Sequence, residues 1–170
     1  MDLDRLIRPV PDFPKPGILF RDITPLLADA AGFAEAIRRL AEPWRGQPIA
    51  AIAAVEARGF LFAGPLALEL EAGLIPVRKP GKLPARTIAH DYELEYGRDR
   101  LEMHAGVLPA GARVLVVDDV LATGGTAAAC IRLVEAGGGV VVGAAFLVEI
   151  EGLGGRERLG HHRAEAVLHY

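Results

Sequence analysis

Residues 113–148 read RVLVVDDVLATGGTAAACIRLVEAGGGVVVGAAFLV, and this stretch decides the fold class. Arg113–Val117 is an apolar run of the length of a buried strand, and Val140–Val148 is a second one. Between them, Gly125–Ala136 has the composition of a helix, which Gly137 ends. A strand, a helix and a strand in this order predict two parallel strands joined by a crossover helix.

The preceding part of the chain continues this alternation. Apolar residues recur with the spacing of one helix face over Phe33–Trp44. The continuous apolar run Ile49–Val55 predicts a strand, Phe60–Ala72 predicts a helix, and Leu74–Val77 predicts a short strand. Strands that alternate with helices predict an α/β fold with a doubly wound, mostly parallel sheet.

Two segments fall outside the alternation. Arg78–Arg86 is basic and contains two prolines and a glycine, which oppose regular structure, so we expect a mobile loop there. Tyr92–Tyr96 and Arg100–His104 alternate on either side of Gly97, which predicts a hairpin outside the main sheet. No internal repeat or low-complexity linker divides the sequence, so we expect one domain over residues 1–170.

Composition excludes several classes of protein. A net charge of −3 provides no basic field for a nucleic acid or an anionic membrane. The longest apolar run, Ala136–Val148, is shorter than the roughly 20 residues of a membrane helix. Cys130 is the only cysteine, the five histidines lack zinc-site spacing, and the N-terminus lacks the apolar core of a signal peptide. We therefore expect a cytoplasmic protein that binds anionic ligands locally.

One loop between a predicted strand and a predicted helix has the chemistry of a sugar-phosphate site. The small residues Ala122–Thr126 let backbone N–H groups approach a phosphate, and the following helix offers its positive end. Asp118 and Asp119, just before them, can accept hydrogen bonds from two vicinal hydroxyls and can hold Mg²⁺ through water. The alternative is a helix cap followed by a tight turn.

A second loop of the same kind is Glu56–Gly59, which places Arg58 at the start of a helix. Taken alone, Arg58 favours a solvated side chain over a ligand contact. Neither a Walker A sequence nor an intact GxGxxG occurs in the chain, which argues against a P-loop NTPase and a dinucleotide-binding fold. A phosphate must therefore be held in another way.

The stretch Val114–Thr126 resembles the phosphoribosyl pyrophosphate motif of type I phosphoribosyltransferases. Further segments, in the same order, resemble adenine phosphoribosyltransferases: Phe13–Gly17, Phe20–Pro25, Glu56–Phe60, Arg78–Pro84 and Tyr92–Gly97. The similarity runs from about Leu6 to the C-terminus. It implies a base-recognition hood over about residues 1–30 and a flap over residues 80–104.

The resemblance also implies roles for single residues. The 5-phosphate would bind at Ala122, Thr123, Gly124, Gly125 and Thr126. The catalytic aspartates Asp118 and Asp119 would face the ribose hydroxyls. Arg58, Arg78 and Lys82 would bind the pyrophosphate, whereas Lys79 stays open between a ligand contact and a solvated cation.

The adenine end of the implied site depends more heavily on the resemblance. Phe20 and Leu147 would hold the flat ring between them, and backbone groups near Arg21 would contact its polar edge. From residue type alone, both Phe20 and Leu147 would be core residues. Glu95 occupies the position of the flap carboxylate that acts as the acid/base group, and its alternative is an exposed strand glutamate like Glu93.

The implied reaction is purine salvage, in which adenine and phosphoribosyl pyrophosphate give AMP and pyrophosphate with Mg²⁺. A homodimer is implied as well. One alternative is transfer to hypoxanthine, guanine or xanthine, but those enzymes usually have Glu-Asp where this chain has Asp118-Asp119. The other alternative is a regulator that binds nucleotides on the same fold without turnover.

Overall fold

A computed structural model describes residues 1–94 and 97–170. Its elements follow one another as β1 (Arg8–Pro11), β2 (Leu19–Asp22), α1 (Thr24–Ala28), α2 (Ala30–Ala41), β3 (Ala51–Val55), α3 (Arg58–Glu69), β4 (Gly73–Val77), β5 (Thr87–Leu94), β6 (Gly97–His104), β7 (Arg113–Leu121), α4 (Gly125–Ala136), β8 (Val140–Glu149), α5 (Gly155–Arg158) and β9 (Ala164–His169). Short 3₁₀ turns span Asp4–Leu6 and Glu42–Trp44.

The central sheet has the strand order β4-β3-β7-β8-β9, and every neighbouring pair is parallel. The predicted doubly wound α/β fold is therefore confirmed. Strand β7 is longer than its apolar run, because pairing with β8 continues from Asp118↔Phe146 to Leu121↔Glu149. Asp118 and Asp119 therefore lie within the paired part of β7, near its end, and not in the loop that follows it.

Two hydrophobic cores cover the two faces of this sheet, because successive strand side chains point in opposite directions. On β3, Ile52 and Ala54 pack with helices α1, α2 and α3. Ala53 and Val55 pack on the other face with helix α4 and the β5–β6 hairpin. The sheet is thus covered by helices on one side and by a helix and a hairpin on the other, which leaves its ends open.

Two smaller antiparallel pairs lie outside the sheet. Strands β1 and β2 pair through Val10↔Phe20, and β5 pairs with β6 from Thr87↔His104 to Leu94↔Gly97. The predicted hairpin is present and begins earlier than its alternating pattern. The loop that precedes it contains an isolated bridge between Arg78 and Glu102.

Four features lay beyond the sequence interpretation: the β1–β2 pair, the short helices α1 and α5, and the edge strand β9. The predicted helix over Phe33–Trp44 ends at Ala41 and tightens into a 3₁₀ turn at Glu42–Trp44, where Pro43 cannot continue the α-helical hydrogen bonds.

Within the described residues, no helix combines the length and the apolar character needed to cross a membrane.

Candidate active site

A cavity of about 410 Å³ opens at the carboxyl edge of the central sheet. It is lined by the sequence-predicted residues Phe20, Arg21, Arg58, Asp118, Asp119, Ala122, Thr123, Gly124, Gly125 and Thr126, and also by Ile18, Leu19, Val120, Leu121, Ala127, Ile150 and Leu153. Segments that are far apart in the chain meet here because parallel strands all end at the same edge.

Helices α3 and α4 begin at this cavity without a side-chain cap. The residues that precede them are Ala57 and Gly124, and neither forms a capping hydrogen bond. Helix α2, which begins elsewhere, is capped by Asp29, whose Oδ1 accepts a hydrogen bond of 2.6 Å from Gly32 N. The first N–H groups of α3 and α4 are thus left for an external acceptor, which suits phosphate groups.

The loop before α4 is shaped by close backbone packing. Gly124 has φ +78°, and a Cβ there would lie 2.6 Å from the carbonyl oxygen of Gly155. A Cβ at Gly155 would lie 2.3 Å from the carbonyl oxygen of Ala122. Both positions therefore require glycine, and the start of α5 is held directly against the phosphate-type loop.

Two adjacent carboxylates lie at the floor of the cavity. The Oδ1 atom of Asp118 accepts a hydrogen bond of 2.9 Å from Asp119 N. Burial raises the pKa of Asp118 well above its ordinary value, and the neighbouring charge of Asp119 adds to this shift. A Cβ at Gly59 would lie 2.9 Å from the same Asp118 oxygen, so the loop Glu56–Gly59 also packs against this carboxylate.

Arg58 connects the two loops. Its Nε atom lies 2.5 Å from Oδ2 of Asp119, whose side chain is only 6% exposed, while the arginine is 52% exposed. The pair lacks hydrogen-bond geometry, so Oδ2 of Asp119 is a buried atom with no hydrogen-bond partner among the described residues. The Arg58 guanidinium carbon also lies 5.7 Å from the centroid of the Phe20 ring. An arginine that is partly exposed and imperfectly paired can exchange its partner for a ligand anion.

The aromatic side of the cavity is built by β2 and its neighbours. The Phe20 ring contacts Phe13 edge to face, with 5.2 Å between the centroids. The adjacent Arg21 lies over the Tyr170 ring at 3.9 Å, and the Tyr170 hydroxyl donates to Asp4. These contacts hold β2 against the end of the sheet, so Phe20 faces the cavity from a supported position.

Three predicted ligand contacts do not line this cavity. Leu147 is 0% exposed and belongs to the core beside helices α2 and α3, so its predicted contact with the base stays a prediction. Ile150 and Leu153, which follow the end of β8, do line the cavity. Leu147 points away because the strand alternation directs it into the core.

The other two residues belong to the loop before the hairpin. Arg78 donates from Nε to Glu56 at 3.2 Å, so its side chain is attached to the loop that carries Arg58. Lys82 is exposed on the same segment. Glu95, the predicted acid/base group, lies outside the described residues.

Lys79 fastens the loop to the hairpin. Its Nζ pairs with Asp99 and lies 3.3 Å from the Tyr92 hydroxyl. Burial lowers the pKa of Lys79, but the hydrogen bonds to Asp99 and Tyr92 outweigh this effect and raise it overall. Lys79 therefore has partners within the protein, and a contact between this lysine and a ligand stays an open question.

A second cavity of about 470 Å³ adjoins the first and shares several of its residues. It is lined by Glu93, Leu94, Thr123, Gly125, Thr126, Leu153, Gly154 and Arg158. The hairpin therefore reaches the phosphate-type loop across this space. The sequence interpretation did not identify Ile150, Leu153 and Arg158. The segment with Ile150 and Leu153 follows a strand end, like the two loops that it identified, whereas Arg158 lies at the end of α5.

The phosphoribosyl transferase domain family has a sequence model that matches residues 22–167 of this chain. Because the match covers most of the chain, the protein belongs to the phosphoribosyltransferases. The parallel sheet, with a cavity at its carboxyl edge, agrees with this class.

Individual relatives define the family more narrowly. An adenine phosphoribosyltransferase of Acaryochloris marina is 54% identical over 170 residues, which cover 100% of each chain. The crystal structure of the adenine phosphoribosyltransferase from Thermoanaerobacter pseudethanolicus has 50% identity and a TM-score of 0.96, covering 99% of this chain and 98% of that chain. The Saccharomyces cerevisiae enzyme, complexed with D-2,5-dideoxy-2,5-imino-altritol 1,6-bisphosphate and adenine, has 38% identity and a TM-score of 0.92, covering 98% and 97%. The chain belongs to the adenine phosphoribosyltransferase family.

Proposed function

We propose that this protein transfers the phosphoribosyl group of 5-phosphoribosyl 1-pyrophosphate to N9 of adenine, giving AMP and pyrophosphate. One observation carries the proposal: a single cavity joins two uncapped helix N-termini, a carboxylate pair and an aromatic ring. Two phosphate sites, a sugar site and a base site are the four recognition elements that this reaction needs. Family membership supports the same activity.

The sugar phosphate is assigned to the α4 side of the cavity. The 5-phosphate accepts hydrogen bonds from the N–H groups of the Ala122–Thr126 loop and from the Thr123 and Thr126 hydroxyls. Asp118 and Asp119 accept hydrogen bonds from the ribose hydroxyls. These contacts fix C1 of the ribose relative to the base, so binding energy is used for orientation.

The leaving group is assigned to the α3 side. Pyrophosphate binds at the N-terminus of α3, and Arg58 exchanges its contact with Asp119 for a pyrophosphate oxygen. Arg78 and Lys82 provide further positive charge from the loop before the hairpin. Charge placed beside the departing oxygen lowers the barrier as the C1–O bond breaks.

Adenine stacks on Phe20, and the backbone around Arg21 contacts its polar edge. The N9–C1 bond forms while the C1–O bond to pyrophosphate breaks, and the electron pair of that bond leaves with pyrophosphate. The imidazole ring of adenine must lose a proton in this step. We assign that proton to the Glu95 carboxylate, within a flap over residues 80–104, and we assign base recognition to a hood over residues 1–30.

Mg²⁺ belongs to the proposal because the donor set suits it. Asp118 and Asp119 are adjacent oxygen donors, and Oδ2 of Asp119 is buried without a hydrogen bond in the described structure. No cluster of three or more acidic, histidine or cysteine side chains in residues 1–94 and 97–170 could hold a metal alone. Substrate oxygens and water would complete the ligand set. When bound, Mg²⁺ would neutralise charge on pyrophosphate.

A homodimer in the cytoplasm completes the proposal. On α3, Leu61 and Leu68 are exposed on the same helix face, Leu68 by 82%, and Leu74 is exposed on the neighbouring edge strand β4. Apolar side chains grouped in this way suit a self-complementary interface with a second copy of the chain. Cell fractionation would test the cytoplasmic location.

The decisive experiment measures pyrophosphate release from phosphoribosyl pyrophosphate and Mg²⁺ with adenine, hypoxanthine, guanine or xanthine. We expect turnover with adenine and little with the 6-oxopurines. The double variant Asp118→Ala/Asp119→Ala should lose most of this turnover. The control Glu42→Ala/Glu69→Ala removes two exposed carboxylates that pair with Arg45 far from the cavity, and it should keep full activity.

Two results would contradict the assignment. Ligand binding without turnover for every base would indicate a nucleotide sensor. Near-normal activity of the folded Asp118→Ala/Asp119→Ala variant would show that the two aspartates only shape a turn and do not bind the sugar.

A further inference from the structure

The second cavity contains a cation that the proposed reaction has not used. Arg158, at the end of α5, lines this cavity together with Thr123, Gly125 and Thr126. We propose that Arg158 is a further substrate-binding residue, whose guanidinium donates hydrogen bonds to the 5-phosphate of phosphoribosyl pyrophosphate. This inference rests on the proposed position of the 5-phosphate at the Ala122–Thr126 loop.

The packing of α5 places Arg158 beside this loop. Gly155 begins α5, and its backbone lies so close to Ala122 that neither Gly155 nor Gly124 can carry a side chain. One helical turn later, the Cβ of Arg158 lies 3.2 Å from the Cβ position of Gly124, and its Nε lies 4.0 Å from that of Gly125. The backbone contact between Gly155 and the Ala122–Thr126 loop thus fixes the position of the Arg158 backbone beside this loop.

The charges around the loop create a need for such a cation. A phosphate monoester carries about −1.5 to −2 charge at pH 7. The residues of Ala122–Thr126 are uncharged, and Asp118 and Asp119 add negative charge nearby. Of the two arginines that line the first cavity, Arg58 contacts Asp119 and Arg21 stacks on Tyr170. Arg158 is therefore the cation placed to balance the 5-phosphate.

Arg158 is also available. Its guanidinium forms no hydrogen bond or ion pair with any residue in 1–94 or 97–170. Two nearby arginines differ: Arg156 donates to Glu149 at 2.6 and 3.0 Å, and Arg163 donates to Glu165 at 2.8 Å. A neighbour with a fixed acidic partner serves the fold, whereas Arg158 is left for a ligand.

A protein partner for Arg158 is the competing explanation. Glu93 lines the same cavity from the hairpin side and could pair with Arg158. Such a pair would attach the hairpin to α5 and would affect all ligands that the hairpin covers. A contact with the 5-phosphate would affect only ligands that carry this group, so the two explanations differ in ligand dependence.

The test compares Arg158→Ala, Arg158→Lys and Glu93→Gln with the unchanged protein, using calorimetric titration with ribose 5-phosphate and with pyrophosphate. Arg158→Ala should weaken ribose 5-phosphate binding about tenfold and leave pyrophosphate binding unchanged. Arg158→Lys should recover part of the affinity. Arg132→Ala is the control, because Arg132 is an exposed arginine of α4 that does not line the second cavity.

Kinetics and salt give independent readouts. In Arg158→Ala, KM for phosphoribosyl pyrophosphate should rise about tenfold while KM for adenine stays constant. The salt dependence of ribose 5-phosphate binding should be weaker in this variant, because an exposed charge has been removed. A purely structural role would not change the salt dependence.

Three results would overturn the inference. Unchanged ribose 5-phosphate affinity in Arg158→Ala would exclude the contact while leaving the proposed reaction intact. Equal weakening of both ligands, reproduced by Glu93→Gln, would favour the hairpin pair. An unchanged protein that binds neither ligand would refute the proposed function itself, together with this inference.

Discussion

Arg58 Nε lies 2.5 Å from Asp119 Oδ2, and this contact joins the loop before α3 to the loop before α4. The acidic member is almost fully buried, whereas the arginine is half exposed. Loss of one partner therefore has unequal consequences. Removing Arg58 leaves a buried carboxylate without its counter-charge, but removing the Asp119 charge only releases an arginine to solvent.

This asymmetry predicts the outcome of a double-mutant cycle. Arg58→Ala should lower the free energy of unfolding, and adding Asp119→Asn should restore part of it, with a coupling of about 1 kcal/mol for a half-exposed pair. Both Arg58→Ala and the double variant should have low activity, because each lacks the arginine proposed to bind pyrophosphate. Urea unfolding and pyrophosphate release measure the two quantities. Additive stability effects would show that the contact is not energetically significant.

The raised pKa of Asp118 predicts a gain in stability from its removal. In the folded protein its pKa lies above the unfolded value, so ionisation disfavours folding. The penalty is absent below the unfolded pKa and grows as the pH rises through the folded pKa. Asp118→Asn should therefore raise the unfolding midpoint at pH 7.5, by about 2–4 °C for each kcal/mol gained, but not near pH 3.5.

The same Asp118→Asn variant should be about ten- to a hundredfold less active, because an amide replaces the acceptor proposed for the ribose hydroxyls. Thermal unfolding at both pH values and the pyrophosphate assay measure this exchange of stability for function. A midpoint that falls at pH 7.5 would contradict the assignment of Asp118 as a carboxylate whose charge destabilises the fold.

Gly124 should be less tolerant of substitution than a glycine with the same backbone conformation elsewhere. Gly124→Ala adds a Cβ that would lie 2.6 Å from Gly155 O, in addition to the roughly 1–2 kcal/mol cost of left-handed backbone. Gly138 has φ +88°, and its nearest neighbour to an added Cβ is 3.9 Å away, so Gly138→Ala carries the backbone cost alone. Gly124→Ala should lower the unfolding midpoint further and also weaken ribose 5-phosphate binding. Equal effects would show that the loop can move away from α5.

Because Leu61 and Leu68 of α3 are exposed, we expect a charge on this helix face to prevent dimer formation. Leu68→Glu places a charge in the proposed interface and should convert a dimer into a monomer in analytical ultracentrifugation. Val140→Glu changes an exposed apolar residue at the start of β8 and should leave the dimer intact. A monomeric unchanged protein, or a dimeric Leu68→Glu variant, would place the interface elsewhere or exclude it.

The sequence predicted the centre of the fold better than its periphery. Long apolar runs identified β3, β7 and β8, because each is buried on both faces. The pair β1–β2 was missed since Pro9 and Pro11 argue against a strand, although an edge position tolerates them. Strand β9 was missed because Ala164–His169 is only partly buried and shows no continuous apolar run.

In the site, too, residues that are adjacent in sequence could be predicted, whereas positions that depend on strand pairing could not. Asp118, Asp119 and Ala122–Thr126 are adjacent in sequence, so their chemistry could be predicted from one segment. Leu147 could not be placed in the same way, because the direction of a side chain near a strand end depends on the pairing of β8 with both neighbours. The cavity is lined instead by Ile150 and Leu153, beyond the paired residues.

The absence of a side chain at Gly59 has a consequence for evolution. The space that a Cβ would need is occupied by Asp118 Oδ1, at 2.9 Å. A lineage that acquires a larger residue at position 59 must therefore shorten or displace the carboxylate at position 118, and its sugar contact would change with it. We expect these two positions to be inherited as a pair, so that the two loops diverge together or not at all.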